Sequence, residues 1–119
     1  MNKSILGIGT VSALGCGIES IGQALEGKSS PLIEIEQIET GEGAFSLPVY
    51  KAIEEGLERY MPRRSLRRMD RFLRMGLLAS CMAMEDSRLH IDDPSRVGII
   101  IGTGYGGIAS AFGSFNSLV

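Results

Sequence analysis

The chain has 119 residues, 44% of them hydrophobic and 22% charged, with a formal net charge of −2. That composition suits one domain with its own core and leaves little room for a second module. No run approaches the roughly 18–20 apolar residues of a membrane span. One His beside two Cys cannot assemble a zinc set, and Met1-Asn2-Lys3, followed closely by Gly7 and Gly9, makes a poor signal peptide. Free thiols at Cys16 and Cys81 fit a reducing, cytoplasmic setting.

In chain order, Ser4 to Ile8 is a short apolar run entering Gly7-Ile8-Gly9, which predicts a buried strand leading into a loop. Between Cys16 and Leu25, Ile18, Ile21 and Leu25 recur at helical spacing, and Gly27 to Pro31 stops that helix. Residues 32–47 are acidic and irregular and read as loop with a short strand at most. Pro48 suits a first helical turn, and Val49, Ala52, Ile53, Gly56, Leu57 and Tyr60 follow with a period near 3.6 until Pro62. Ser65 is placed to cap a longer helix over 66–88, with Met69, Phe72, Leu73, Leu77 and Met84 on its core face. Asp92-Asp93-Pro94 is a turn. Val97 to Ile101 is apolar and β-branched, so it predicts a strand buried on both faces. It enters Gly102-Thr103-Gly104-Tyr105-Gly106-Gly107, after which a helix can begin between Ile108 and Leu118. Strands separated by helices predict an α/β layered fold.

The small net charge hides a strong segregation. Residues 1–58 hold three Lys against nine Glu, residues 59–74 seven Arg against one Asp, and residues 75–119 two Arg against four acids. On a continuous helix Arg64, Arg67, Arg68, Arg71 and Arg74 would form one basic face. Like charges at this spacing repel, so the face calls for an anionic partner. Nucleic acid fits less well, because the chain is acidic overall and no aromatic side chains interleave with the arginines.

Two phosphate-binding patterns occur, and both lack context. Gly22 to Ser29 has P-loop spacing, but a helix precedes it where a strand is needed. Gly102-x-Gly104-x-x-Gly107 follows an expected strand, yet the acidic ribose ligand of a dinucleotide site would fall about 20 residues later, past Val119. No Ser-His-Asp or Cys-His set is identifiable, so no catalytic residue, cofactor or metal is assigned.

The ordered set of motifs resembles the β-ketoacyl-[acyl-carrier-protein] synthases. The matching stretches are Gly7-Ile8-Gly9-Thr10-Val11-Ser12-Ala13-Leu14-Gly15, Ala24 to Ser29, Arg67-Arg68-Met69-Asp70-Arg71-Phe72 with Ala83-Met84-Glu85-Asp86-Ser87, and Arg96 through Gly107. Ala13 stands where the family often has Pro, and residues 32–62 match poorly. The resemblance covers nearly all of this chain but only the beginning of the family's.

It implies an incomplete N-terminal part of a thiolase-like layered α/β fold, spanning residues 1–119 and stopping before the nucleophile motif. It implies homodimers, or a complementing catalytic chain. The family's reaction is a decarboxylative Claisen condensation of acyl and malonyl carrier-protein thioesters, in fatty acid or polyketide synthesis. Neither cysteine lies in the nucleophile motif and one His cannot supply two, so the chain alone is expected to be inactive. Arg64, Arg67 and Arg68 match basic positions that receive the acidic acyl carrier protein, and Tyr105 matches a position lining the acyl pocket. A non-catalytic carrier-protein-binding module or a split-enzyme subunit is the alternative.

Overall fold

The computed structural model describes residues 2–108. A small antiparallel pair, β1 (Val11–Ser12) and β2 (Gly15–Cys16), opens the folded part. Its turn is held by the Ser12 hydroxyl, which accepts the Leu14 N–H at 3.2 Å. Helix α1 (Ile18–Leu25) follows and ends at Gly27, whose φ of +71° favours a residue without a β-carbon. This agrees with the helix expected up to Leu25 and its glycine stop.

The next segment overturns the expected loop. Residues 34–49 form a regular antiparallel hairpin of β3 (Glu34–Thr40) and β4 (Gly43–Val49), pairing Glu34 with Val49 and Thr40 with Gly43. Pro48 faces Ile35 in this ladder instead of opening a helix. Each strand of a two-stranded hairpin is an edge, where a missing N–H can be tolerated.

The expected helix over 48–60 does not form. Val49 is committed to the ladder, Gly56 takes φ +96°, and only a 3₁₀ turn over Leu57–Arg59 remains helical. The irregular stretch between them bonds outward. Ile53 donates its N–H to the Ser12 carbonyl at 3.0 Å and accepts the Cys16 thiol at 3.0 Å. Ala52 accepts a guanidinium N–H from Arg71, and Glu54 pairs with Arg74 at 2.6 Å. Polar groups satisfied by neighbours need no helix to bond them.

The long helix over 66–88 is also corrected. A short α2 (Arg63–Leu66) is separated by a turn from α3 (Arg71–Ser87), and Asp70 rather than Ser65 caps the longer one. Asp70 has extended backbone, and its Oδ1 accepts the Leu73 N–H at 2.8 Å, which satisfies one of the unpaired donors of the first turn. At the other end Arg88 takes the left-handed conformation.

The core is small. Leu57, Leu66 and Leu78 are buried, Leu78 to 1% exposure, and Val11, Cys16, Tyr60, Met61, Met69, Leu77 and Met82 pack around them. Helix α3 supplies two surfaces: one bears Leu78 and Met82, and another carries Ala79, Ala83 and Ser87 at spacings of four. Gly7 and Gly9 lie on this second surface. A β-carbon on Gly7 would meet the Ala83 carbonyl and stand 2.6 Å from the Ser87 nitrogen, and one on Gly9 would meet the Ala79 carbonyl. The Ile8 N–H donates to Asp86 Oδ2 at 2.9 Å, fastening the segment.

The buried strands expected at Ser4–Ile8 and Val97–Ile101 are therefore not seen as such. Neither belongs to a ladder among the described residues, and both carry exposed apolar side chains, Ile100 to 99%. Without partner strands among the described residues, much of their apolar surface stays exposed. The Cα radius of gyration is 17.8 Å, against about 13.5 Å for a compact domain of this length. The architecture of the described residues is a mixture of helix and strand organised around α3, with two separate two-stranded sheets. The helix expected between Ile108 and Leu118 falls almost wholly outside the described residues.

Candidate functional site

The arginine block divides into two populations. Arg59 lies over the Tyr60 ring, 5.3 Å from its centroid. Arg71 donates to the Ala52 carbonyl, and Arg74 is held by Glu54. These three act within the fold. Arg63, Arg64, Arg67 and Arg68 are exposed, and no carboxylate pairs with them among the described residues. The single five-arginine face expected from helical spacing is thus corrected: the break at Met69-Asp70 interrupts it, and Arg71 and Arg74 serve packing.

The break also creates a depression. Arg68 and Met69 donate their N–H groups to the Ser65 and Leu66 carbonyls, three residues back, at 3.3 and 3.1 Å. This tightened turn ends α2 and redirects the chain into α3. A groove of about 660 Å³ is lined there by Arg64, Ser65, Arg68 and Met69. Of the candidate docking residues, Arg64 and Arg68 share this groove, while Arg67 caps the C-terminal end of α2 beside it. Met69, expected only as core, both packs on the buried leucines and lines the groove.

Tyr105 is 83% exposed in the second glycine turn, where the Ile108 N–H donates to its carbonyl at 3.2 Å. The same turn leans on α3, because a β-carbon on Gly107 would stand 2.5 Å from Asp70 Oδ2. Both glycine-rich segments therefore abut one helix, Gly7 and Gly9 along its side and Gly107 at its start.

Among the described residues the nucleophile candidates have no base. Cys16 is a free thiol spent on the Ile53 carbonyl. Burial, and then the nearby Glu85 carboxylate, push the Cys81 thiol above its ordinary range. His90 lies 3.5 Å from Asp92 at the surface, and no hydrogen bond joins it to either cysteine among the described residues. Tyr60 donates its hydroxyl to Glu85 at 2.6 Å, and that bond raises its pKa above the ordinary tyrosine value. No cluster of three or more His, Cys, Asp and Glu side chains that could hold a metal occurs among the described residues. Nor is any helix there long and apolar enough to cross a membrane.

The β-ketoacyl synthase N-terminal domain model matches residues 4–117. The chain belongs to the β-ketoacyl synthase family. Over 108 residues it is 33% identical to the 3-oxoacyl-[acyl-carrier-protein] synthase 2 of Vibrio cholerae serotype O1, covering 87% of this chain and 25% of that relative. The synthase of the same name from Vibrio harveyi is 32% identical over 107 residues, with the same coverage. This β-ketoacyl synthase chain thus spans about a quarter of the length of these relatives. No solved structure matches it.

Within the family frame, the motif resemblances acquire geometric content. Gly7-Ile8-Gly9 is the segment laid on α3, and Ala83-Met84-Glu85-Asp86-Ser87 is the stretch that receives it. Arg67 to Phe72 spans the break between α2 and α3.

Proposed function

We propose that this chain is the front segment of a 3-oxoacyl-[acyl-carrier-protein] synthase, and that its share of the work is to receive the acyl carrier protein. The observation that carries the reading is the group of four outward arginines, Arg63, Arg64, Arg67 and Arg68, unpaired among the described residues while the other three of the block are occupied. Guanidinium groups left in solvent form a positive field that steers and orients an acidic partner. The condensation itself joins an acyl group held on a cysteine to malonyl on the carrier protein, with loss of carbon dioxide. The cysteine and the two histidines for that chemistry are expected on residues other than those of this chain.

The same reading places the chain in fatty acid or polyketide synthesis, in the cytoplasm, where two free thiols suit a reducing medium. It makes segments 4–9 and 97–107 part of a thiolase-like layered fold, whose remaining layers, from a dimer or a complementing catalytic chain, cover Ile99 to Ile101. Tyr105 then faces the acyl pocket and shortens it relative to a glycine there.

The test is a titration of the chain with holo-acyl carrier protein at rising ionic strength. Binding should weaken steeply between about 0.1 M and about 1 M salt, where screening collapses the field, and R67E with R68E should abolish it. Binding indifferent to salt and to both charge reversals overturns the reading. The native mass of the product from its own host then separates the two forms of the proposal. A species containing a catalytic Cys and His partner supports a working synthase, and one built only of 12.8 kDa chains makes it a carrier-binding module.

A further inference from the structure

We infer that the groove between Arg64 and Arg68 holds an apolar side chain of the carrier protein, seated on Met69, and that this seat rather than the charges sets partner specificity. The inference rests on the carrier-protein reading above and deepens it.

The groove lining combines two exposed guanidinium side chains with the half-buried thioether of Met69. Arg64 and Arg68 stand four residues apart in sequence, and Ser65 and Met69 share the lining with them. The Ser65 hydroxyl caps nothing, since Asp70 took that role, and it makes no hydrogen bond among the described residues. Met69 is half-buried, with its inner side against the leucine core. A partner carrying carboxylates around one apolar residue complements this arrangement. The carboxylates meet Arg64 and Arg68 at the rim, and the apolar residue displaces water from Met69. Interface energy concentrates at such desolvated centres ringed by polar contacts, whereas exposed charges mostly govern encounter rate and salt dependence. A thioether is deformable and fills irregular space well. A plain polyanion has the carboxylates without the apolar residue, so it should use the arginines and ignore the thioether.

The experiment compares two probes on the full chain, holo-acyl carrier protein and poly-L-glutamate, by fluorescence anisotropy over a salt series. Met69→Gln should weaken carrier protein binding about tenfold, equivalent to about 1.4 kcal/mol. It should leave polyglutamate affinity and the salt slope unchanged, and Met69→Leu should restore carrier protein binding. Ser65→Phe, which adds a bulky ring to the groove lining, should reproduce the selective loss. Equal weakening of both probes, or carrier protein affinity unchanged in both M69Q and S65F, overturns the seat while leaving the docking reading intact. Absence of salt-dependent carrier protein binding in the unsubstituted chain overturns the docking reading and the seat with it.

Discussion

Gly107 lies so close to the Asp70 carboxylate that a β-carbon built on it would stand 2.5 Å from Oδ2. The other carboxylate oxygen caps α3 through the Leu73 N–H. Gly107→Ala must therefore shift that carboxylate or the turn beside it, and by disturbing the cap it should destabilise the chain by about 1 kcal/mol, as Asp70→Ala should. Because both act on one carboxylate, the double variant should lose less than the sum. Urea midpoints of the four proteins check this.

Gly9→Ala should be more costly. Its β-carbon would fall on the Ala79 carbonyl and 2.6 Å from the Ala83 nitrogen, both backbone atoms of α3 that cannot rotate away. A loss of about 2–3 kcal/mol is expected. Gly22→Ala is the control: it sits inside α1 with nothing within 4 Å of the new methyl. There alanine should stabilise by up to about 1 kcal/mol. Thermal melting of the two variants should move in opposite directions.

The two arginine populations should separate by readout. Arg74→Gln removes the partner of Glu54, so it should cost about 1 kcal/mol of stability, modest because the pair is partly solvated, and should leave carrier protein binding unaltered. Arg64→Gln should do the reverse, reducing the salt slope of binding with no shift in the denaturation midpoint.

Two groups give opposite pH signatures. The Asp93 carboxyl is held below its ordinary 3.8 by hydrogen bonds from the Ser95 hydroxyl and N–H. Its contribution is present above that value and is lost as pH falls through the lowered pKa. Tyr60 is raised above 10.0 by its bond to Glu85, so its contribution is complete below pH 10.0 and is lost as pH rises through the raised value. Ser95→Ala should bring the Asp93 titration back up, and Glu85→Gln should bring the Tyr60 titration down, both followed by NMR.

Local signals are legible in the sequence where side chains act on their own backbone. The spacing of Ile18, Ile21 and Leu25 and the glycine stop at Gly27 describe α1 as it is found. The hairpin at 34–49 was legible in principle, since Ile33-Glu34-Ile35-Glu36 alternates before Gln37 breaks the pattern, and Gly41-Glu42 supplies a two-residue turn. Glutamate density disguised it as loop. Residues 49–60 misled for a different reason: their helical period is real, but the backbone of Ile53 is claimed by Ser12 and Cys16, which lie 37 or more residues away in sequence. Within the arginine block, spacing located the charge, and Arg64, Arg67 and Arg68 are indeed exposed. It could not sort packing arginines from outward ones, because that depends on Ala52 and Glu54 arriving from another segment. The place of Met69 in the groove lining is not legible in the sequence, because an apolar residue on a helix reads as core whether or not one side of it is wet.

The seat of Gly7 and Gly9 on α3 bears on how the chain is made. Ile8 precedes its hydrogen-bond partner Asp86 by 78 residues. At bacterial and eukaryotic elongation rates that separation amounts to roughly 4–16 s of translation. Throughout that interval Gly7 and Gly9 have no helix to lie on, and nothing nearer in the chain offers the Ala79-Ala83-Ser87 surface. During synthesis the first apolar segment must therefore wait in solvent, or in the grip of a chaperone, for a docking place assembled long after it has left the ribosome.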